Sequence, residues 1–223
     1  MEPYLFPGVH DALRLFSSLV PPQTEEIVTE PYDVLKTQEA ASKTGNLPAV
    51  ITEEVEKLRQ ADRIVFHFPV WWFAPPAILK GWCERVLANG GLHDTSNRFD
   101  TGHFRNKPVL FCATTGSKAS ESAHNGKEGD IQMLLWPLAY TLRYLGFDVL
   151  VPRIVHGVHG YHKGAAREDL ETRLQNEIEG HRETIARFAT LPKISFNADS
   201  EFDRAGTLSP GAPSHSHFIR HDP

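Results

Sequence analysis

The sequence has few cysteines and no cluster of positive charge, and each of these features narrows the possible functions. Its two cysteines, Cys83 and Cys112, lack the paired spacing of a disulfide framework or a zinc site, which favours a reducing compartment. The formal net charge is -5, and acidic and basic residues are interspersed along the chain. Without a basic stripe, we expect neither a nucleic acid nor an anionic membrane surface as a partner.

Long apolar runs and several catalytic motifs are also absent from the sequence. No apolar run approaches about 20 residues, and no charged start precedes an apolar segment at the N-terminus, so we expect neither a signal peptide nor a membrane span. The protein is therefore predicted to be cytoplasmic. Walker, GxSxG and HExxH motifs are missing, and no serine or cysteine shows a local triad signature, so a hydrolase is not supported.

Histidine is the residue type that would favour a metal site, since the chain has 12 of them. His156, His159 and His162 follow one another at a spacing that a metal ion could use if they were helical. They lie among glycines just after a predicted strand, where a helix is not expected. We therefore predict no metal site from the sequence.

Strand and helix patterns alternate along the chain, which indicates an α/β fold. An open, mainly parallel sheet with helices on both faces is the architecture that this alternation predicts. The predicted helices cover residues 10–20, 49–58, 75–88, 130–145 and 165–188, and the predicted strands cover residues 26–30, 64–68, 108–114 and 147–155. Residues 31–46 are predicted as polar connection. Beyond Pro192 the chain loses periodicity and is predicted to be an extended tail.

An aromatic segment follows the strand predicted at 64–68. Pro69 ends this strand, so Trp71, Trp72 and Phe73 lie in the connection after its carboxyl end, where open α/β sheets bind ligands. A single aromatic residue is more often part of a core. Three adjacent ones cannot all point inward, so we expect at least one to be offered to a planar ligand.

A second polar loop follows the strand predicted at 108–114 and reaches the same sheet edge. Thr114, Thr115, Gly116 and Ser117 are small, and their backbone N–H groups could hold a polar ring edge or a phosphate. An ordinary solvent loop rich in Gly and Ser is equally consistent with this composition.

Three segments together carry a family resemblance: FPVWWFAPPAILKGWCERV, then TTGSKASESAHNGKEGD with LLWP, then LGFDVLVP. In this order they resemble the NAD(P)H:quinone oxidoreductases of the DT-diaphorase type, from about Gly45 through the last predicted strand and more loosely to His221. The resemblance implies a flavodoxin-like fold, a homodimer and a bound FAD rather than FMN. It also implies two-electron hydride transfer from NAD(P)H to the flavin and then to a quinone in the same pocket, with ping-pong kinetics.

The resemblance also implies roles for particular residues. Those expected to line the flavin ring are Pro69, Val70, Trp71, Trp72 and Phe73. Those expected to hold the pyrimidine end of the ring are Thr114, Thr115, Gly116 and Ser117. Arg167 is expected near the adenine and pyrophosphate end. Where the family has a tyrosine and a histidine that assist hydride transfer, this chain has Ser122 and Glu128, so Glu128 or the nearby His124 is expected to take part.

The beginning of the chain departs from the family pattern. Family members begin with a strand and a loop that binds the FAD pyrophosphate, whereas this sequence begins almost at the first helix. We therefore expect residues 1–190 to form an N-terminally incomplete flavodoxin-like domain and residues 191–223 to form a C-terminal extension at the dimer interface. The alternative hypothesis is a non-catalytic, dimeric flavodoxin-like module that has lost stable flavin binding.

Overall fold

The computed structural model describes residues 33–221. The helix predicted at 10–20, the strand predicted at 26–30 and the expected absence of a first strand lie outside the described residues. The described residues divide into two compact units, one that runs up to Ala61 and includes Pro76–Asn97, and one formed by Asp62–Pro75 with the residues from Arg98 onward. The division at residue 190 that the sequence suggested stays a prediction.

The first unit contains α1 (Val34–Thr44), α2 (Ala49–Gln60) and α3 (Ala77–Val86). The prediction of polar connection over residues 31–46 was wrong, because α1 lies there. Its two ends explain why a helix of low hydrophobicity forms. The Asp33 side chain accepts a hydrogen bond from the Lys36 N–H at 3.1 Å, and Gly45, with φ of 71°, donates back to the last turn.

Packing between α2 and α3 forms the core of the first unit. The buried side chains are Ile51, Val55 and Leu58 on α2 and Cys83 and Val86 on α3. The indole N–H of Trp82 donates to the Glu54 carboxylate at 2.9 Å, which pairs the partly buried polar groups of the two helices. The helix predicted at 49–58 is confirmed, whereas α3 begins only after Pro76, whose ψ of 147° is not helical.

The second unit contains the sheet, and its described strands are all parallel. They are β1 (Ile64–Pro69), β2 (Pro108–Thr114), β3 (Asp148–Val149) and β4 (Arg153–Val155). β2 lies between β1 on one side and β3 with β4 on the other. The single strand predicted at 147–155 is interrupted, because Pro152 has no N–H to donate and the Val151 N–H bonds to Pro192 O at 2.8 Å.

Burial differs between the two longest strands. All five central residues of β2 are buried, as its continuous apolar run predicts. The apolar run of residues 64–68 is typical of a buried strand, but in β1 only Phe68 is buried and His67 is exposed, so that prediction is wrong. Among residues 33–221, β1 pairs with β2 alone and is the outermost of the described strands on that side.

Two helices belong to the second unit, α4 (Ile131–Tyr144) and α5 (Ala165–Ala186). Asp130 caps α4 as predicted by accepting the Gln132 N–H at 2.9 Å, and Pro137 lies inside the helix without dividing it. A helix is found where residues 165–188 predict one, but their spacing also predicts an amphipathic helix with a buried apolar face, and that part of the prediction is wrong. No residue of α5 is buried, Ile178 is 61% exposed, and the buried Phe188 lies in the 3-10 turn Phe188–Thr190.

The C-terminal tail lies along the second unit. The Ile194 N–H donates to Val149 O at 2.8 Å, which continues the edge of β3. Further along, the Phe218 ring stacks on Trp136 with ring centroids 4.4 Å apart. The tail therefore packs against α4 of its own chain, and its place at a dimer interface stays a prediction. In the described part of the chain, no helix combines the length and the apolar character needed to cross a membrane.

Candidate functional site

A tight turn, Trp71–Ala74, follows β1, and we call it the aromatic turn. The Trp71 N–H donates to Ala74 O at 2.9 Å, and the Ala74 N–H donates back to Trp71 O at 3.1 Å. Between them φ is 50° for Trp72 and 61° for Phe73. Two-residue turns with both φ values positive normally use Asn and Gly. A side chain in this left-handed region costs roughly 1–2 kcal/mol, so the turn is strained at both aromatic residues.

The rings of the aromatic turn are outside the core. Trp71 is 63% exposed, Trp72 is 93% exposed and Phe73 is 52% exposed. The prediction that these adjacent aromatics cannot all point inward is confirmed. Exposed aromatic rings on a strained turn gain little for folding, which indicates that they serve a contact made with something else. That this partner is a planar ligand stays a prediction.

Residues Thr115–Ser122, which we call the hydroxyl loop, follow β2 at the same sheet edge. The Thr115 N–H donates to Val155 O at 3.0 Å, which attaches the loop to β4. The Thr115 and Ser117 hydroxyls lie 2.9 Å apart, and Ser117 hydrogen-bonds in turn to the buried Ser122 hydroxyl. This chain of three hydroxyls fixes the loop. Among residues 33–221, the N–H groups of Gly116 and Trp72 donate to no acceptor, so both are free for a ligand.

The aromatic turn and the hydroxyl loop share one cavity of about 390 Å³ within the second unit. This volume is in the range of small-molecule sites. The cavity is lined by Val70, Trp72 and Phe73, by Thr115, Gly116 and Ser117, by Glu121, Ser122, Lys127 and Glu128, and by Ile131 and Leu134 from the first turn of α4.

The structure brings together most of the residues expected to hold a ring. Val70, Trp72 and Phe73 line the cavity with Thr115, Gly116 and Ser117. The others of that set, Pro69, Trp71 and Thr114, are not lining residues, although the Val70 N–H bonds to Thr114 O at 2.7 Å and so joins the two segments. Binding by any of these residues stays a prediction.

The remaining predicted residues separate into two groups. Glu128 lines the cavity, whereas His124 is exposed and is not one of its lining residues. Arg167 is exposed in the first turn of α5, where it forms an ion pair with Glu171 at 2.8 Å, and it does not line the cavity either. Its role at a pyrophosphate stays a prediction.

Sequence reasoning missed Glu121, Lys127, Ile131 and Leu134 as lining residues. Ile131 and Leu134 could have been found, because Asp130 was identified as the start of the helix that follows the loop. Glu121 could not, since its position depends on the fold of the loop. The Lys118 N–H donates to its carboxylate at 2.9 Å, and this bond, followed by the ion pair with Lys127, lowers the pKa of Glu121.

The lining fits the ring of a flavin better than its phosphates. Exposed aromatic faces and the apolar Ile131 suit a flat ring, and the free Gly116 N–H suits a polar ring edge. Lys127 is the one cationic side chain of the lining, and it already pairs with Glu121 at 3.1 Å. The described lining therefore provides no unpaired positive charge for a phosphate group.

Comparison with known proteins agrees with this geometry. Residues 13–178 match the model of a protein family described as having a flavodoxin-like fold. The chain is 43% identical to NAD(P)H dehydrogenase (quinone) 1 of Rattus norvegicus over 119 residues, which are 53% of this chain and 43% of that protein. It is 44% identical to ribosyldihydronicotinamide dehydrogenase (quinone) of Homo sapiens over 115 residues, which are 51% of this chain and 50% of that protein.

A solved structure extends the comparison over nearly the whole chain. The structure of a candidate quinone reductase from Klebsiella pneumoniae superposes with a TM-score of 0.72 at 25% identity, covering 96% of this chain and 93% of that one. The chain spans about half the length of the curated relatives described above. With its parallel sheet, its helices and a family match over residues 13–178, the chain belongs to the family with the flavodoxin-like fold and is similar to the NAD(P)H quinone dehydrogenases.

Proposed function

We propose that the protein is an FAD-dependent oxidoreductase that reduces quinones with NAD(P)H, two electrons at a time. The observation that carries the proposal is the cavity shared by the exposed rings of Trp72 and Phe73 and the hydroxyl loop. Similarity to proteins named quinone dehydrogenases supports the same activity. The activity is proposed for the whole protein. The matched part of this chain spans about half the length of those relatives.

Each segment of the cavity has a defined task in this proposal. Trp72 and Phe73 pack against the flat flavin ring and exclude water from it. The Gly116 N–H donates to the polar edge of the ring, where an N–H dipole stabilises negative charge. A bound flavin supplies the capacity to accept a hydride and pass it on. Glu128, a cavity residue, is the proposed group that holds a proton near the acceptor.

Ping-pong kinetics are part of the proposal, because the aromatic turn and the hydroxyl loop share one cavity. A nicotinamide and a quinone that reach the flavin through the same cavity would bind in turn, so the nicotinamide would leave before the quinone enters. Initial rates measured against both substrates should give parallel lines in a double-reciprocal plot.

Assembly and location are part of the same proposal. We propose a homodimer in the cytoplasm, with residues 1–190 as the flavin-binding domain and residues 191–223 at the dimer interface. Arg167 is proposed to contact the adenine and pyrophosphate end of FAD on the strength of the family resemblance; its guanidinium is exposed and pairs with Glu171. Light scattering after size-exclusion chromatography measures the oligomeric state directly.

The decisive experiment is a spectrum of the purified protein after incubation with FAD and removal of the excess. Protein that binds the cofactor keeps the yellow flavin bands, loses them on addition of NAD(P)H and recovers them when a naphthoquinone is added. The same steps with FMN decide between the two flavins. Colourless protein after both incubations rejects the proposal.

One observation favours a second candidate, a non-catalytic dimeric module. Lys127, the cationic residue of the cavity lining, is already paired with Glu121, so the phosphates of a flavin lack a partner there. A module of this kind would be a dimer without a visible flavin spectrum. Substantial quinone turnover by the purified protein would exclude it.

A further inference from the structure

A row of polar side chains crosses the sheet beneath α5, away from the cavity. His67 of β1 lies opposite Cys112 of β2, and Cys112 lies opposite Arg153 of β4. Because register partners in parallel strands point to the same face, these three side chains are lateral neighbours. None of them lines the cavity. α5, which has no buried residue of its own, meets this row through polar side chains.

The side chains of α5 that meet this row are also polar. The His181 ring lies with its centroid 5.3 Å from that of His67. Glu177, one turn earlier, accepts a hydrogen bond from Arg153 at 2.7 Å, and Thr184 also contacts Arg153. The positive charge of Arg153 is therefore paired with Glu177, which leaves two imidazoles and one thiol facing one another.

The donor atoms of these three groups are close enough for one metal ion. The ligand atoms of His67, Cys112 and His181 all lie within 4.8 Å of one another. In a tetrahedral zinc site, bonds of about 2.0–2.3 Å place the donor atoms about 3.4 Å apart. The donor atoms therefore need to approach one another by at most about 1.4 Å, which side-chain rotations can provide.

We propose that His67, Cys112 and His181 form a binding site for a single Zn²⁺ ion or a similar thiophilic divalent cation. Two imidazole nitrogens and one thiolate are ligands that zinc prefers. The exposed His67 gives the ion a route from solvent and leaves the fourth position to a water molecule. As the S–Zn bond forms, the Cys112 thiol loses its proton to solvent and no electron is transferred.

The protein environment opposes metal binding at the thiol and favours it at the two imidazoles. Burial raises the pKa of Cys112 to about 11, so the incoming ion must displace a firmly held proton, as metal ions do in thiolate sites. Partial loss of solvent around the ring lowers the pKa of His67, and the same effect together with the nearby Arg153 lowers the pKa of His181, so both imidazoles favour the neutral form.

The regularly spaced histidines at 156–162 are a weaker candidate. The His159 and His162 rings stack with centroids 4.0 Å apart, and this region contributes no third ligand among the described residues. Their regular spacing is a property of the sequence alone and does not bring three ligand atoms together. The set of His67, Cys112 and His181 is separated along the chain and is assembled only by strand pairing and by the packing of α5.

A Co²⁺ titration of the EDTA-treated protein tests the site. Tetrahedral Co²⁺ bound through a thiolate gives a sulfur-to-cobalt charge-transfer band and visible bands, recorded as difference spectra against the protein alone. We expect saturation at one equivalent and loss of the bands when Zn²⁺ is added. A folded protein without a charge-transfer band would overturn the proposal, whatever its flavin content or quinone turnover.

Matched variants assign the ligands. Cys112→Ser should abolish the charge-transfer band, while Cys83→Ser, which alters the other buried free cysteine, should leave it unchanged. His181→Gln should weaken Co²⁺ binding about tenfold or more, while His162→Gln should have no effect. His181 lies on α5 and is only partly buried, so its variant is expected to fold even if Cys112→Ser does not. Unchanged affinity in His181→Gln overturns the proposal.

Discussion

Trp71 and Ala74 are hydrogen-bonded to each other through both backbone groups, and this closure forces the two residues between them into the left-handed region. Trp72 and Phe73 are poorly suited to that conformation, which glycine or asparagine would adopt at lower cost. Without a bound ligand, a turn that is both strained and exposed does not stabilise the folded protein. The aromatic residues are therefore explained by a contact that their rings make, and a bound flavin is the proposed one.

Replacing Trp72 by glycine separates stability from binding. Trp72 is 93% exposed and has a φ of 50°, so Trp72→Gly removes almost no packing and relieves backbone strain. We expect the flavin-free variant to gain about 1 kcal/mol or less in urea denaturation, because the added flexibility of the unfolded chain offsets part of the gain. Its affinity for FAD, measured by fluorescence titration, should fall about tenfold or more.

Trp136 is the matched control for this substitution. Its ring stacks between Tyr140, with centroids 4.2 Å apart, and Phe218, with centroids 4.4 Å apart, so Trp136→Ala should destabilise the protein by roughly 3 kcal/mol. It is not a lining residue of the cavity. A Trp72→Gly protein that unfolds more easily but binds FAD normally would show that the turn is structural.

Glu128 and His124, the two residues expected to assist hydride transfer, differ in their position relative to the cavity. Glu128 lines the cavity, whereas His124 is exposed and does not line it. In flavin-loaded protein, Glu128→Gln should lower quinone turnover about tenfold or more, because a proton-transfer group is lost while shape is kept. Flavin content should not change. His124→Gln should have wild-type turnover, and the reverse pattern would assign the role to His124.

The buried strand β2 and the two loops at its edge could be predicted from the sequence, and the reason is physical. A continuous apolar run such as Val109–Ala113 has few alternatives to a buried strand, and the residues after a parallel strand must reach the carboxyl edge. The helix α1 was not predicted, because it depends on the caps Asp33 and Gly45 and not on apolar periodicity.

Other features depend on tertiary contacts and leave no periodic signal. Glu121 reaches the cavity because its carboxylate accepts the Lys118 N–H and its backbone oxygen accepts the Glu128 N–H at 2.9 Å. The meeting of His67 with His181 depends on how α5 packs on the sheet. Neither arrangement follows from spacing along the chain, so only the structure reveals them.

Cys83 is expected to make the protein less stable as the pH rises into the alkaline range. Burial raises the pKa of this thiol to about 11, above its unfolded value, so the folded state keeps its proton longer than the unfolded state. The resulting stabilisation is complete below about pH 8.5 and is lost as the pH rises towards 11, with a total of roughly 2–3 kcal/mol. Urea denaturation of wild type and Cys83→Ala across this range should show their difference shrinking with pH. A constant difference would contradict the prediction.

Arg143 holds the C-terminal tail against α4, and its removal should release the tail. Its side chain is only 11% exposed, pairs with Asp100 and donates to Asn197 O at 3.3 Å. Because Asp100 also accepts the Asp199 N–H at 2.6 Å, Arg143→Gln disrupts a connected network and should cost about 1–3 kcal/mol in urea denaturation. Limited proteolysis should then cut within residues 195–221 faster than in wild type.

The exposed Arg182 provides the control. Equal cleavage of Arg143→Gln and Arg182→Gln would mean that the aromatic stack on Trp136 holds the tail without the arginine.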